Sequence, residues 1–201
     1  MHPARSRDSA RAGTVSDQYA RPAMPAESSA PDAVRPVVNV RLATLDDAAA
    51  IRTIYNVEVD NYTSTFDLVP RTLDEQRSWL SDRSGAFSAV VATLQSEPDV
   101  VVGFASLSPY KERAAYRTTV ENSVYVSREH AGLGIGTALM LHVIAVARES
   151  GFHAIVARIE ASSEASRALH ASVGFELVGV EREVGRKFNR WLGVAIMQLM
   201  L

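Results

Sequence analysis

The sequence predicts an α/β protein with one folded domain. Segments typical of strands alternate along the chain with segments of helical periodicity. A glycine-rich turn joins one of the strands to a helix beyond the middle of the chain. The 201 residues are 47% hydrophobic and 22% charged, a composition that supports a single core of ordinary size. We expect the folded domain to span residues 37–201.

The composition excludes several classes of function. The chain has no cysteine, which excludes disulfides, thiolate metal sites and a cysteine nucleophile. The net charge is −2, so nothing points to nucleic acid or to an anionic membrane as a partner. No apolar run approaches the roughly 18 residues of a membrane span. No metal is predicted, because the spacing of four histidines is not that of metal ligands: His130, His142, His153 and His170.

Residues 1–36 differ from the rest of the chain. They contain five of the eight prolines and almost no large aliphatic side chains, so we expect a disordered tail. Their arginines suggest a transit peptide, but Asp8 and Asp17 argue against one. The simplest interpretation is a dispensable extension, with initiation at Met24 as an alternative.

Two capping boxes predict the first two helices. A strand over Val38–Ala43 precedes the box formed by Thr44 and Asp47, and a second box is formed by Thr72 and Glu75. Apolar residues follow each box at roughly helical spacing: Ala48, Ile51, Ile54, Tyr55 and Tyr62 after the first, and Leu73, Trp79 and Leu80 after the second.

The apolar segments Phe87–Thr93 and Val100–Ser108 flank a polar turn, which predicts a β-hairpin. A loop dense in charge and tyrosine follows at Pro109–Arg117. The last segments of the chain are predicted as a strand, a helix and two strands: His153–Ile159, Ser163–Val173, Phe175–Val180 and Leu192–Leu201.

The central segment Thr118–Gly151 is predicted to form a strand, a turn with three glycines and a helix of about fourteen residues. The glycines Gly132, Gly134 and Gly136 would let backbone N–H groups face an anion, and the helix N-terminus adds roughly half a positive charge. A tight structural turn is the alternative. A Walker loop is excluded because no lysine precedes Thr137, and a dinucleotide fingerprint would need glycine at Leu139.

This turn resembles the acetyl-CoA pyrophosphate loop of the GNAT N-acetyltransferases, Gln/Arg-x-x-G-x-G/A, although Ala131 stands at the Gln/Arg position. The order β-α-α-β-β-β-α-β-α-β-β is also that of the GNAT fold, which implies a mixed, mostly antiparallel central sheet with helices on both faces. The resemblance covers residues 37–201 and implies that acetyl-CoA binds to these residues: Val124, Tyr125, Val126, Gly132, Leu133, Gly134, Ile135, Gly136, Thr137, Ser163 and Ser166. For Ser163, a helix N-cap is the alternative.

Two residues are candidates for chemistry. Glu121 lies in the central strand among apolar neighbours, where burial would raise its pKa towards that of a general base. The alternative is a glutamate that points into water. His170 stands where many GNAT enzymes have a tyrosine that protonates the departing thiolate, in the frame Leu169-His170 to Gly174-Phe175. The alternative is an ordinary packed or solvated histidine.

Three segments resemble the phosphinothricin and methionine sulfoximine acetyltransferases: VENSVYV, SRALHASVGF and GRKFNRWLGVAIMQL. Asn189 and Gly193 depart from that subfamily's pattern, where glycine and aspartate are usual. The resemblance implies a homodimer and a substrate with a carboxylate and a second polar group. Residues predicted to bind that substrate are Phe66, Lys111, Arg113, Tyr116 and Arg117. For the loop residues a solvated charged loop is the alternative, and for Phe66 a core contact.

Three functions are compatible with these patterns. The first is acetyl-CoA-dependent N-acetylation of a small amino acid such as phosphinothricin, methionine sulfoximine or methionine sulfone, in the cytoplasm, conferring herbicide or sulfoximine resistance. The second is acetylation of another small amine. The third is a non-catalytic acyl-CoA-binding module. The presence of both Glu121 and His170 favours an enzyme.

Overall fold

The structure, a computed structural model, describes residues 36–201. The described chain forms one sheet of seven strands: β1 (Val38–Leu42), β2 (Val90–Leu94), β3 (Gly103–Pro109), β4 (Thr119–Val126), β5 (Ala154–Glu160), β6 (Glu176–Lys187) and β7 (Arg190–Met200). Its α-helices are α1 (Ala48–Asn61), α2 (Leu73–Ser81), α3 (Ile135–Glu149) and α4 (Glu164–Ser172). The predicted order of elements is confirmed. The predicted tail, residues 1–36, lies outside the described residues except for Pro36.

The sheet is mixed and mostly antiparallel, as predicted. Its spatial order is β1-β2-β3-β4-β5-β7-β6, and every neighbouring pair is antiparallel except β4 and β5. These two parallel strands are paired only over Thr119–Glu121 and Ala154–Val156. From Asn122 onwards β4 leaves β5, so a gap opens in the middle of the sheet.

Helices cover both faces of the sheet. Because strand side chains alternate between faces, Val90 and Ala92 of β2 pack in the core beneath α3, whereas Val91 packs in the core beneath α1 and α2. Residues 36–201 contain no helix that is both long and apolar enough to cross a membrane.

Both predicted capping boxes are present, with adjustments at the element ends. Thr44 donates its backbone N–H to the Asp47 carboxylate at 2.7 Å, and a 3-10 turn over Leu45–Asp47 precedes α1. The prediction for Tyr62 was wrong, because α1 ends at Asn61 and the tyrosine side chain is exposed. At the second box, the Thr72 hydroxyl accepts the Glu75 N–H and the helix begins as predicted.

The ends of two strands differ from those predicted from the sequence. β2 begins at Val90 rather than Phe87, because Gly85–Phe87 form a 3-10 turn. β6 continues to Lys187, well beyond the predicted end at Val180. Irregularities in its pairing with β7 interrupt the alternation of side chains, so the strand's second half carries no clear strand pattern.

Candidate active site

The gap between β4 and β5 contains two adjoining cavities. The first, here the Glu121 cavity, has a volume of about 270 Å³ and is lined by Glu121, Arg158 and His170 among others. The second, here the glycine-turn cavity, has a volume of about 520 Å³ and reaches the turn before α3. Five residues line both: Ser64, Val124, Tyr125, Ser163 and Ser166. The two cavities therefore form one continuous cleft.

The glycine turn presents backbone to this cleft. Gly132 and Gly134 have φ angles of 81° and 83°, which favour glycine, and a Cβ at either position would meet nothing within 4 Å. The first hydrogen bond of α3 runs from the Ala138 N–H to the Gly134 carbonyl, so the preceding N–H groups have no partner within the helix. Such a helix end suits a phosphate.

The predicted cofactor residues line the glycine-turn cavity with one exception. Leu133 does not line it, and its side chain packs against the core. Ser163 lies at the N-cap position of α4, yet its side chain makes no capping hydrogen bond, so capping does not account for it. Gly136 has a different role from the other two glycines, because a Cβ there would lie 2.9 Å from Leu169 on α4.

Glu121 is half-buried in the cavity that bears its name. On β4 it pairs with Ser108 of β3 and Val156 of β5, at the last point where β4 and β5 are paired. Burial raises the pKa of the Glu121 carboxyl above its ordinary value, and the positive charge of Arg158 partly opposes this shift. A raised pKa makes the carboxylate a better proton acceptor.

A second carboxylate, Glu160, lines the same cavity. It accepts hydrogen bonds from the Ser162 N–H at 3.0 Å, the Ser162 hydroxyl at 2.6 Å and the Thr63 hydroxyl at 3.3 Å. The Glu121 carboxylate, in contrast, makes no hydrogen bond or ion pair with any side chain of residues 36–201. Of the two carboxylates, Glu121 is the one available to a ligand.

His170 is buried on α4, with only 3% of its surface exposed. Its Nδ1 lies 2.8 Å from the Ser166 carbonyl, which can only accept, so Nδ1 carries the proton. Nε2 then accepts a hydrogen bond from the Asn122 amide at 3.1 Å. Burial lowers the pKa of His170, although the bond to Ser166 acts in the opposite direction. The ring is therefore neutral near pH 7.

Glu121 and Asn122 are consecutive on β4 and point to opposite faces of the sheet. Asn122 faces α3 and α4, where its amide also contacts the Met140 sulfur, and its Oδ1 is buried with no partner among the described residues. Both Glu121 and His170 nevertheless line the Glu121 cavity, because the divergence of β4 and β5 opens the sheet between its two faces.

The predicted substrate residues are divided between two places. Phe66 lines the Glu121 cavity and packs closely on Gly185 of β6. Lys111, Arg113 and Tyr116 line a separate cavity of about 470 Å³, and Arg117 is exposed. The loop that carries them starts after Pro109, next to the Ser108–Glu121 pair.

An ion pair that the sequence did not predict lies at the glycine-turn cavity, between the buried carboxylate of Glu58 and the exposed guanidinium of Arg128. Arg128 donates from Nε to Glu58 at 2.7 Å, and its guanidinium lies 3.9 Å from the centre of the Tyr62 ring. Ser64 also donates to the Glu58 carboxylate. Helical spacing from Ile51, seven residues earlier, could have placed Glu58 on the buried face of α1. The residues of the Glu121 cavity that the sequence did not predict include Asn122, Arg158 and Glu160.

In residues 36–201 no group of three histidine, aspartate or glutamate side chains could hold a metal ion. Residues 51–175 match the acetyltransferase (GNAT) family, and the chain belongs to that family.

Several named proteins are similar to this chain. The L-methionine sulfoximine/L-methionine sulfone acetyltransferase of Pseudomonas aeruginosa is 36% identical over 81% of this chain and 94% of its own length. The phosphinothricin N-acetyltransferase of Streptomyces coelicolor is 39% identical over 79% and 93%. Among solved structures, a phosphinothricin acetyltransferase of Sinorhizobium meliloti in complex with acetyl-CoA is 35% identical over 82% and 88%, with a TM-score of 0.77.

Proposed function

We propose that the protein is an acetyl-CoA-dependent N-acetyltransferase that acts on the α-amino group of a small amino-acid-like molecule, of the phosphinothricin, methionine sulfoximine or methionine sulfone type. The observation that carries this proposal is the continuous cleft, in which a half-buried glutamate adjoins a helix N-terminus with open backbone N–H groups. The names of the similar enzymes support the substrate class.

The glycine turn would hold the pyrophosphate of acetyl-CoA. The N–H groups at the start of α3 are suited to it because they have no partner within the helix, and Gly132 and Gly134 leave the approach open. Acetyl-CoA supplies an acetyl group activated as a thioester. Contacts with Val124, Tyr125 and Val126 on β4 would direct the acyl end towards Glu121, since these residues line the glycine-turn cavity.

Glu121 would act as the general base. An α-ammonium group must lose a proton before its nitrogen can attack a thioester carbonyl. The raised pKa of Glu121 and its lack of other partners within residues 36–201 support this role. Proton transfer occurs directly or through one water.

His170 would return a proton to the departing thiolate. In the resting state Nε2 is an acceptor, so the role requires that Nε2 first takes up a proton, which the attacking nitrogen gives up as the amide forms. Rotation of the Asn122 amide would present its unpartnered Oδ1 to the protonated Nε2. Asn122 would thus accommodate both protonation states of the ring.

Phe66 would form the wall of the substrate pocket. The loop residues Lys111, Arg113, Tyr116 and Arg117 would contact the far end of a substrate whose amine lies at Glu121, because the loop begins beside the Ser108–Glu121 pair.

We also infer a homodimer, a cytoplasmic location and a role in resistance to herbicide-like glutamate analogues. A surface for a second copy is offered by exposed apolar side chains on β6, the turn after it and β7, among them Val178, Val180, Phe188 and Trp191. Light scattering in solution tests the dimer.

A substrate screen tests the proposed function. Purified protein is incubated with acetyl-CoA and each of phosphinothricin, methionine sulfoximine and methionine sulfone, and thiol release is followed with DTNB. We expect thiol release that depends on the amino acid and an N-acetylated product by mass spectrometry. Binding of acetyl-CoA without thiol release for any acceptor would instead indicate a non-catalytic acyl-CoA-binding module.

A further inference from the structure

Arg158 is the cationic side chain of the Glu121 cavity. Among the described residues that line this cavity it carries the only permanent positive charge. The loop arginine Arg113 lines a different cavity. A substrate carboxylate near Glu121 therefore meets Arg158 before any other cation.

The register of β5 places Arg158 on the same face as Glu121. Val156 is paired with Glu121 across the parallel strands, and Arg158 lies two residues further along, so its side chain points to the same face. Its charge also acts on the Glu121 carboxyl, which shows that the two groups are close enough to interact electrostatically.

The present partner of Arg158 can be exchanged. Its Nη2 donates to Glu181 on β6 at 2.8 Å, and the two side chains are 38% and 44% exposed. An exposed pair of this kind contributes only about 0–1 kcal/mol to stability. A guanidinium that is freed from Glu181 could bind a carboxylate through two parallel hydrogen bonds.

We propose that Arg158 binds the α-carboxylate of the amino-acid substrate and thereby presents the α-amine to Glu121. This inference rests on the proposed function. The amine and the carboxylate of an α-amino acid are attached to the same carbon, so a carboxylate held at Arg158 keeps the amine near Glu121. The arrangement selects acceptors with a free carboxylate over their amides.

The test compares methionine sulfone with its primary carboxamide as acceptors for Arg158→Met. We expect kcat/KM for the acid to fall on the order of 10- to 100-fold, mostly through KM, while kcat/KM for the carboxamide changes little. Arg158→Lys keeps the positive charge but lacks the planar guanidinium that can make two parallel hydrogen bonds. It should therefore retain part of the kcat/KM for the acid that Arg158→Met loses.

Two control variants separate substrate binding from structure. Arg182→Met removes an exposed arginine of β6, next to Glu181 in the chain, that does not line the cavity, and it should leave the acetylation of both acceptors unaffected. Glu181→Gln removes the partner of Arg158 but keeps the guanidinium, so acid turnover should be retained or improved.

Two results would overturn the inference in favour of a structural ion pair. One is an equal fall in kcat/KM for the acid and the carboxamide in Arg158→Met. The other is a fall in kcat/KM for the acid in Glu181→Gln as large as that in Arg158→Met. The proposed function would survive that result, since the wild-type protein would still acetylate the acid. If the wild-type protein acetylates neither acceptor nor any amino acid of the screen, the proposed function fails and the inference fails with it.

Discussion

The Nδ2 of Asn122 and the Nε2 of His170 lie 3.1 Å apart, joining the central strand to α4 inside the protein. Because Nδ1 of His170 donates to the Ser166 carbonyl, this contact identifies the ring as the neutral tautomer with its proton on Nδ1. Asn122 therefore stabilises the unprotonated Nε2 in the resting state. Burial of the ring lowers the pKa of His170 and so favours the same neutral form.

Asn122→Asp should raise the pKa of His170, because a carboxylate of the same shape favours the protonated ring. The measurement is NMR titration of the histidine ring nitrogens. In the wild-type protein His170 should remain neutral near pH 7 and titrate below its ordinary value of 6.5, in the Nδ1–H form. A wild-type spectrum with the proton on Nε2 would contradict the assignment.

Gly134→Ala should weaken acetyl-CoA binding, because the alanine Cβ would project into open space above the turn where phosphate must approach. Gly151→Ala is a matched control. Gly151 also has a positive φ, of 76°, and a Cβ there would meet nothing within 4 Å. Unlike Gly134, it follows α3 and does not line the cleft. Both should lower stability by about 1–2 kcal/mol.

Calorimetry and thermal melting separate the two glycine effects. We expect both variants to lose similar stability and only Gly134→Ala to lose acetyl-CoA affinity. Equal affinity for acetyl-CoA in the two variants would refute the phosphate site.

Arg113→Ala should raise the KM of the amino-acid acceptor and leave acetyl-CoA affinity unchanged, because a lost charge-assisted hydrogen bond costs about 1.5–3 kcal/mol. Steady-state kinetics with each substrate varied in turn measures both values. Similar damage to both ligands would indicate that the loop, which lines a cavity of its own, has a structural role instead.

Deletion of residues 1–35 should leave the melting temperature and turnover unchanged, because their composition offers little apolar surface to bury. Differential scanning calorimetry and the thiol-release assay compare the shortened and full chains. A fall of more than a few degrees would mean that these residues dock on the domain.

The order of elements could be predicted because its signals are local. The boxes at Thr44 and Thr72 and the glycines before α3 each depend on residues a few positions apart. The end of β6 could not be predicted, since its irregular pairing with β7 removes the alternation on which strand prediction depends.

The site was only partly predictable for a related reason. Glu121 and His170 were found through motifs within single segments, but Arg158 belongs to the cavity only because β4 and β5 are paired over three residues and then diverge. The contact between Asn122 and His170 joins residues that are 48 positions apart, and no local pattern encodes it.

The rate of amino-acid acetylation by Glu121→Gln as a function of pH tests the central claim most directly. Glutamine keeps the shape of the side chain but cannot accept the proton, so kcat at neutral pH should fall by on the order of 10²–10⁴. The wild-type rate should decline as pH falls through the Glu121 pKa, which burial places above 4.5, because the carboxylate is the active form.

The Glu121→Gln variant should lose that acidic limb and regain activity at high pH, where the substrate amine is deprotonated without help. Near-normal activity of Glu121→Gln across the whole pH range, with the wild-type acidic limb retained, would contradict the assignment of Glu121 as the base.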